Sequence, residues 1–288
     1  MRRILVTGAS GAFGPSVLAR LSRRPDFTVF GTDMNCPPGG IVRPCDMRDR
    51  VQVEALLGDV RPDVIVHLAG TTSAEHAEAY AINVEVARTL LETVEKKHRD
   101  ARVVLTGSAA EYGVVSPAEN PIPETHALAP VSIYGMTKAW QTLLAHFFTH
   151  RGVEVVVARP FNLDGPGLSD RLFIGRVQRQ MEAILSGKAE KLKVGPLSAV
   201  RDYLRFEEAA RQYEAIARFG AAGQVYHVAS GIPVSMREVL AGHLERHGLD
   251  FSCVEEDAVN SNRSGYDVPM IYADTTQTRR LLMKMEEE

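Results

Sequence analysis

A tyrosine and a lysine spaced four residues apart are the first candidates for chemistry in this sequence. Tyr134 and Lys138 lie in SIYGMTKAW, at the start of a segment with helical periodicity, so their side chains share one face of a helix. A phenol has an ordinary pKa of about 10, and an adjacent ammonium favours the phenolate. The pair could therefore give or take a proton near neutral pH.

A serine at the end of a predicted strand could complete this group. Ser108 lies in VVLTGSAAEYG, where a parallel sheet would present it at the carboxyl edge, and open α/β proteins bind ligands at that edge. Its hydroxyl could bind both a substrate carbonyl and the oxygen of Tyr134. The next two residues, Ala109 and Ala110, cannot exchange protons, and Glu111 would point elsewhere on an extended segment.

A glycine-rich turn, TGASGAFG, separates a predicted strand from a predicted helix. Gly8, Gly11 and Gly14 would permit a tight turn, close approach of the backbone to a pyrophosphate, and close packing of the helix. The helix N-terminus would supply N–H donors to the phosphates. The GxxGxxG spacing by itself leaves both a dinucleotide site and an ordinary turn open.

Acidic residues after the next strands favour the dinucleotide interpretation. Asp33 ends the second predicted strand, where a carboxylate can bind the adenosine ribose hydroxyls and repel a 2′-phosphate. NAD(H) is therefore favoured, and NADP(H) stays possible; the alternative role for Asp33 is a turn aspartate in TDMN. Asp46 and Met47 could face the adenine, or CDMRD could cap the helix that follows.

Alternating strand and helix patterns predict an α/β fold with a parallel sheet in the first half of the chain. The predicted strands cover residues 3–7, 28–32, 64–68, 103–106 and 153–158. The predicted helices cover residues 15–23, 51–57, 80–98 and 135–149. After Pro160 the loop-rich PFNLDGPGLSD is followed by predicted helices at 173–185, 207–218 and 236–247 and a predicted strand at 224–228.

These patterns divide the chain into a dinucleotide-binding domain over residues 1–162 and a smaller, mainly substrate-binding domain over 163–288. The segment of about residues 206–230 is a candidate for a return to the first domain. With 288 residues and 45% hydrophobic residues, the chain is long and apolar enough for a large core.

Charge and cysteine content exclude several classes of function. A net charge of −3 with 24% charged residues gives no basic field for nucleic acid or an anionic membrane surface. The three cysteines form no CxxC pair, which argues against structural zinc and a disulfide framework and favours a reducing compartment. Since no apolar stretch reaches membrane-spanning length, we expect no membrane partner. Together with the cysteine content, this predicts a cytoplasmic location and no metal site.

Six motifs occur in the order TGASGAFG, VIVHLAG, AINVEVA, LTGSAAEYG, YGMTK and VARPFNLDGPG. In this order they resemble the extended short-chain dehydrogenase/reductase family, of the NAD-dependent epimerase/dehydratase type, over nearly the whole chain. The resemblance implies a Rossmann-type doubly wound parallel sheet with a smaller C-terminal substrate-binding domain. It also implies that Ser108, Tyr134 and Lys138 act beside a nicotinamide, with Lys138 binding the nicotinamide ribose and lowering the tyrosine pKa.

The resemblance implies further contacts to cofactor and substrate. Cofactor contacts are expected from the catalytic pair and from Gly8, Ser10, Gly11, Ala12, Phe13, Gly14, Asp33, Asp46, Met47, Leu68, Ala69, Gly70, Asn83, Thr106 and Pro160. Asn83 has the alternative role of a helix N-cap before VEVARTLL. Substrate contacts are expected from Ser108, Ala109, Asn162, Arg179, Arg201 and Arg263, with the last two pairing with a diphosphate.

The segments after Pro160 resemble reductases of GDP-4-keto-6-deoxymannose and related nucleotide-sugar 4-reductases. We therefore expect a 4-keto-sugar reductase acting on a nucleotide-diphosphate sugar. A 4-epimerase is the nearest alternative, because it uses the same hydroxyl, phenol and lysine. A dehydratase is less favoured, because family members that remove water carry an Asp-Glu pair where this chain has Ala109 and Ala110. A non-catalytic dinucleotide-binding regulator is also less favoured.

Two predicted helices, over residues 80–98 and 137–150, have wide apolar faces. The apolar residues are Leu90, Leu91, Val94, Leu143, Leu144 and Phe147. These faces could pack on the sheet. By the resemblance they form a four-helix contact between subunits, so we expect a homodimer.

Overall fold

The computed structural model describes residues 1–36, 42–257 and 268–288. The strands are β1 (Arg2–Thr7), β2 (Phe27–Asp33), β3 (Val42–Pro44), β4 (Val64–His67), β5 (Arg102–Thr106), β6 (Val155–Pro160), β7 (Asn162–Asp164), β8 (Leu192–Val194), β9 (Val200–Arg205), β10 (Val225–Val228), β11 (Pro233–Ser235), β12 (Val254–Glu256) and β13 (Met270–Ile271). The helices are α1 (Gly14–Ser22), α2 (Arg50–Val60), α3 (His76–Ala79), α4 (Val86–Lys97), α5 (Ile133–His150), α6 (Phe173–Leu185), α7 (Phe206–Phe219), α8 (Met236–Arg246) and α9 (Thr276–Glu286). A π-helix, Tyr80–Glu85, joins α3 to α4. Short 3₁₀ helices cover Ala109–Glu111, Pro117–Glu119 and Phe251–Cys253.

Seven parallel strands form the main sheet, in the order β10-β6-β5-β4-β1-β2-β3. The order reverses at β1, which pairs with β2 on one side and β4 on the other. This doubly wound arrangement confirms the predicted Rossmann-type α/β fold. Ligands of such sheets bind beyond the carboxyl ends of the strands at the reversal point, so β1 and β4 define where a site should lie.

Side chains alternate between the two faces of the sheet, as the two-residue period of a strand requires. Ile4 and Val6 of β1 lie in the core beneath α1 and α7, whereas Leu5 lies in the opposite core beneath α2, α4 and α5. All three side chains are at most 1% exposed. Burial on both faces explains why these strands read as continuous apolar runs.

Part of the second half of the chain contributes to the main sheet. β10 pairs with β6 at the sheet edge, and α7 packs against α1. The remaining elements build a smaller unit, in which β9 pairs with β7, β11 and β13, and β8 pairs with β12. A separate core joins α6 and α8 through side chains such as Met181 and Leu240. The boundary between two domains at residue 162 stays a prediction.

The described residues contain no helix that is long and apolar enough to cross a bilayer. Over the same three ranges, no group of three or more His, Cys, Asp or Glu side chains could hold a metal ion. Cys36, Cys45 and Cys253 are free thiols.

Candidate active site

The glycine turn packs tightly against the end of β4. Gly8 has a φ of +69°, and a Cβ added there would lie 2.6 Å from the backbone nitrogen of Ala69. A Cβ on Gly14 would lie 2.4 Å from the carbonyl oxygen of Ala9. Both distances are too short for a side chain, so these two positions require glycine. The turn therefore brings bare backbone to the carboxyl edge of the sheet at the reversal point.

The beginning of α1 supplies backbone donors at this edge. Within the described ranges, the N–H groups of Ala12 and Phe13 donate to no other part of the protein. The ring of Phe13 packs against Phe206 and Tyr213, with ring centroids 5.3 Å apart in each pair. A compact glycine turn with unpaired N–H groups at a helix start fits the pyrophosphate of a dinucleotide.

Asp33 lies beside this turn at the end of β2. One of its carboxylate oxygens accepts a hydrogen bond of 3.0 Å from the backbone N–H of Ser10. The other lies 3.4 Å from the N–H of Asn35, as in an aspartate turn. The side chain is half-buried at the carboxyl edge, a position that suits an adenosine ribose.

The CDMRD segment after β3 caps the helix that follows, which is one of the two roles that the sequence left open. Asp49, rather than Asp46, caps α2, accepting a hydrogen bond of 2.9 Å from the N–H of Val51. Asp46 instead forms an ion pair of 2.8 Å with Arg48. The side chain of Met47 is buried in the core beneath α2, so only its backbone could face an adenine.

Lys138 is buried on α5, with its ammonium at the end of β5. Nζ donates hydrogen bonds to the carbonyl oxygen of Thr106 at 3.0 Å and to Oε1 of Gln141 at 2.8 Å. It also lies beside Gly70, where an added Cβ would be 3.3 Å from Nζ. Burial lowers the pKa of Lys138 to about 8, because few charges compensate for its lost hydration.

Tyr134 and Lys138 do share one side of α5, as the spacing predicts. Nζ of Lys138 lies 6.0 Å from the centroid of the Tyr134 ring. Burial raises the pKa of Tyr134, and a hydrogen bond with the Ser108 side chain works in the opposite direction. The expected lowering of this pKa by Lys138 does not appear, because desolvation outweighs the other effects.

Ser108 is positioned by the short 3₁₀ helix that follows it. Its hydroxyl accepts a hydrogen bond of 3.2 Å from the N–H of Ala110, while its own N–H donates to Glu111 at 2.7 Å. The two contacts form a capping box. Ala109 is half-buried and packs against a core that contains Tyr112.

Glu111 belongs to a buried network that the sequence analysis missed. Its carboxylate forms an ion pair of 2.8 Å with Arg159, and the two side chains are 0% and 1% exposed. Arg159 also donates to the hydroxyl of Tyr112 at 2.7 Å. An arginine inside the apolar strand VVVARP was the available signal, because such a charge is buried only with a partner.

Asn83 lies within the π-helix, so its alternative role as an N-cap is wrong. Its Oδ1 accepts from the N–H of Thr71 at 2.9 Å. Its Nδ2 donates to the carbonyl of Thr71 and to the hydroxyl of Thr137, both at 3.0 Å. The side chain thus ties the segment after β4 to α5, next to Lys138.

The other expected cofactor contacts lie along the same sheet edge. The backbone N–H of Leu68 donates to the carbonyl of Thr7 at 3.1 Å, which continues the β1–β4 pairing toward Gly70. The hydroxyl of Thr106 accepts from Tyr213 at 3.1 Å. Pro160 is the last residue of β6.

The expected substrate contacts are less closely grouped. Asn162, on β7, donates to the carbonyl of Asp202 at 3.0 Å, and Arg201 on the neighbouring β9 is 9% exposed. Arg179 is on the outer side of α6, with a side chain 71% exposed and ion-paired with Asp170. Arg263 lies outside the described residues.

Known proteins resemble this chain in sequence and in fold. A 29% identical relative over 249 residues is the GDP-6-deoxy-D-mannose reductase of Pseudomonas aeruginosa, with 83% of this chain and 78% of the relative covered. The dTDP-glucose 4,6-dehydratase of Streptomyces griseus is 29% identical over 300 residues, covering 97% and 88% of the two chains. The structure of RMD from Pseudomonas aeruginosa complexed with NADPH superposes with a TM-score of 0.85 at 24% identity, over 98% of this chain and 93% of that one.

The structural similarity alone establishes the fold. Residues 4–229 also match the NAD dependent epimerase/dehydratase family, from β1 to the end of β10. This match spans every strand of the main sheet together with the glycine turn, Ser108, Tyr134 and Lys138. The chain therefore belongs to the NAD-dependent epimerase/dehydratase family of extended short-chain dehydrogenases/reductases.

Proposed function

We propose that this protein is an NAD(P)-dependent oxidoreductase that reduces the 4-keto group of a nucleotide-diphosphate sugar. The proposal rests on the shared sheet edge, where the glycine turn and the Ser108, Tyr134 and Lys138 side chains meet. It is also supported by the similarity to a GDP-6-deoxy-D-mannose reductase.

Each side chain of the trio has a separate task. The hydroxyl of Ser108 binds the substrate carbonyl oxygen and orients it toward Tyr134. The phenol of Tyr134 gives its proton to that oxygen, and its raised pKa keeps the proton in place until the substrate binds. The ammonium of Lys138 stabilises the phenolate that remains. The chemistry that a bound nicotinamide would supply is the hydride that reduces the sugar carbon.

One observation favours a keto-sugar reductase over a dehydratase. Ala109 and Ala110 occupy the positions that would have to carry the acid and base for loss of water. The carboxylate of Glu111, the residue that follows Ala110, is 0% exposed and forms an ion pair with Arg159. Among the described residues, Tyr134 is the group that we assign as proton donor, and carbonyl reduction needs only one such group.

We propose NAD(H) as the preferred cofactor, with NADP(H) as the weaker one. The glycine turn and the N–H groups of Ala12 and Phe13 would hold the pyrophosphate, and Asp33 would bind the adenosine ribose. A 2′-phosphate beside the Asp33 carboxylate would be repelled. Lys138 would bind the nicotinamide ribose.

A steady-state assay tests the reductase proposal. We expect the purified protein to oxidise added NADH stoichiometrically when supplied with GDP-4-keto-6-deoxymannose. Tyr134→Phe should lower kcat at least ~100-fold while cofactor binding persists, whereas Tyr226→Phe, a buried tyrosine on β10, should retain turnover. Unchanged turnover of Tyr134→Phe would reject the mechanism. Tightly retained NAD with sugar interconversion and no net NADH oxidation would instead identify a 4-epimerase.

The nucleotide can be identified by thermal stability. A ligand that binds only the folded protein raises its melting temperature, and at a fixed concentration the rise increases with the logarithm of its affinity. We expect one of GDP, UDP, CDP and dTDP to give a selective increase in the presence of NAD, with GDP as the proposed ligand. Equal shifts for all four would argue against a specific nucleotide-sugar substrate.

We also propose that the protein is a homodimer. Trp140, Leu143 and Phe147 follow one another at helical spacing on α5 and are 42%, 59% and 55% exposed. Tyr80 packs edge-on against Trp140, with ring centroids 5.2 Å apart, and extends this apolar surface to the π-helix. Exposed contiguous apolar surface of this kind is typical of an interface between subunits.

A further inference from the structure

A buried ion pair lies directly beneath the backbone of Ser108. Glu111 and Arg159 are at most 1% exposed, and their charged groups are 2.8 Å apart. Removing two charges from water is costly, so such a pair is retained only with good geometry and additional hydrogen bonds. The proposed function assigns neither residue a role, yet the pair is adjacent to the proposed site.

The two oxygens of Glu111 have different partners. Oε1 accepts the backbone N–H of Ser108 at 2.7 Å. Oε2 accepts the hydroxyl of Thr142, on α5, at 2.7 Å and Arg159, on β6, at 2.8 Å. An added Cβ on Gly107 would lie 2.5 Å from Oε1, so there is no space for the carboxylate to move toward β5. The carboxylate thus fixes the main chain of Ser108 relative to α5.

Arg159 is itself held from the opposite side. It donates to the hydroxyl of Tyr112 at 2.7 Å, and that hydroxyl lies 2.6 Å from Nε2 of His227 on β10. Burial lowers the pKa of His227 to about 4, so this histidine is neutral at physiological pH and adds no charge. The guanidinium and carboxylate therefore balance each other, and beyond the histidine lies a further carboxylate, that of Glu124, 3.9 Å from Nδ1 of His227.

We propose that Glu111 is a positioning residue that holds Ser108 against Tyr134, and that Arg159 offsets part of the negative charge that this carboxylate places near the phenol. This inference rests on the proposed function. It assigns a reason for both charges being buried: the carboxylate gives a strong, directional acceptor for the Ser108 N–H, and the guanidinium reduces the field of the carboxylate at the site.

The electrostatic effect of the Glu111 charge can be measured through the titration of the groups around Tyr134. Lys138 is on the same helix, Tyr213 faces Tyr134 from α7, and Glu111 faces it from the segment after β5. The charge of Glu111 raises the pKa of both Tyr134 and Lys138. His67, which faces Lys138 from β4, has its pKa lowered by burial to about 3 and stays neutral.

Two substitutions, each made alone, should shift the midpoint of the pH profile of kcat in opposite directions. Glu111→Gln removes the negative charge, which lowers the pKa of both Lys138 and Tyr134, so the alkaline fall of kcat moves to lower pH. Arg159→Met leaves the carboxylate uncompensated, so this fall moves to higher pH. The double variant, Glu111→Gln with Arg159→Met, should return the midpoint toward the wild-type value. Its kcat should stay roughly tenfold below wild type, because an unanchored amide holds Ser108 less well.

A matched control separates this effect from general damage to a buried ion pair. Glu214 is 1% exposed and pairs with Arg20 at 2.5 Å, between α7 and α1. Glu214→Gln should leave the midpoint of the kcat profile unchanged. Cofactor affinity, measured by quenching of protein fluorescence, should also be retained in Glu111→Gln, since the glycine turn is not altered.

Several outcomes would overturn the proposal. Equal loss of kcat in both single variants with an unchanged midpoint would reduce the pair to a structural role. If either single variant shows no cooperative thermal unfolding, the double variant is used to test the proposal. A wild-type kcat in the double variant would refute positioning by Glu111. Failure of the proposed function would be seen separately, as undiminished turnover of Tyr134→Phe.

Discussion

The ammonium of Lys138 donates a hydrogen bond of 2.8 Å to the side-chain oxygen of Gln141, one turn further along α5. Its other acceptor in the described structure is the carbonyl of Thr106. Both partners are neutral dipoles, which compensate only part of the hydration that the cation loses on burial. The protein therefore maintains a cation in the site at the expense of stability.

Replacing Lys138 by methionine should reveal how much stability the protein loses by burying the ammonium. The pKa of Lys138 is about 8 in the folded protein and 10.5 ordinarily, so between these values the native state binds fewer protons than the unfolded state. The stability of the wild type should then rise relative to that of Lys138→Met by about 2 kcal/mol between pH 7 and pH 9.5. Urea unfolding at pH 7 and pH 9.5 measures the difference. Parallel pH dependence of the two proteins would contradict it.

The glycine turn should not tolerate even a methyl group. Gly8→Ala would place Cβ 2.6 Å from the backbone of Ala69 in a left-handed conformation, so we expect loss of NADH binding and destabilisation of about 2 kcal/mol or more. Gly58→Ala is the control, because no atom lies within 4 Å of its added Cβ in α2. That variant should gain about 0.5 to 1 kcal/mol and retain binding. Calorimetric titration with NADH would distinguish the two.

Removing the charge of Asp33 should relax the choice between cofactors. Asp33→Asn keeps an acceptor for the N–H of Ser10 but no longer repels a 2′-phosphate. We expect the ratio of kcat/KM for NADPH to that for NADH to rise by about tenfold or more, which corresponds to ~1.4 kcal/mol. Asp46→Asn, at an ion-paired carboxylate after β3, should change the ratio less. A ratio that stays constant in Asp33→Asn would remove the basis for the NAD(H) preference.

A charge introduced into the exposed face of α5 should separate the subunits. Leu143→Glu places a carboxylate between Trp140 and Phe147, where burial against a partner would be costly. Light scattering at micromolar concentration should show a dimer for the wild type and a monomer for this variant. Leu185→Glu, at an equally exposed leucine that ends α6, should stay dimeric. A monomeric wild type would refute the proposal.

The parts of the site formed by contiguous sequence could be predicted. The turn at Gly8 and the pair Tyr134 and Lys138 are set by local geometry, because a strand-to-helix turn and one helix face need only neighbouring residues. The alternation of strand and helix patterns also sufficed to predict the parallel sheet. Asp33 was placed at the correct strand end, although its hydrogen bond to Ser10 was not foreseen.

Contacts between distant segments could not be predicted. Glu111 meets Arg159 only because β5 and β6 pair in one particular register, which the sequence near either residue does not specify. Similarly, the π-helix around Asn83 depends on contacts with Thr71 and Thr137 from two other segments. The pKa of Tyr134 depends on how deeply the assembled site is buried, and spacing along a helix contains no information about burial.

The edge strand β10 affects how the protein can be synthesised. It is translated after the six other strands of the main sheet, and among the described strands it pairs with β6 alone. Until β10 leaves the ribosome, the nascent chain presents the backbone of β6 as an open edge that another chain could join. A product truncated at residue 162 would keep that open edge permanently, so it should aggregate rather than accumulate as an independent cofactor-binding fragment.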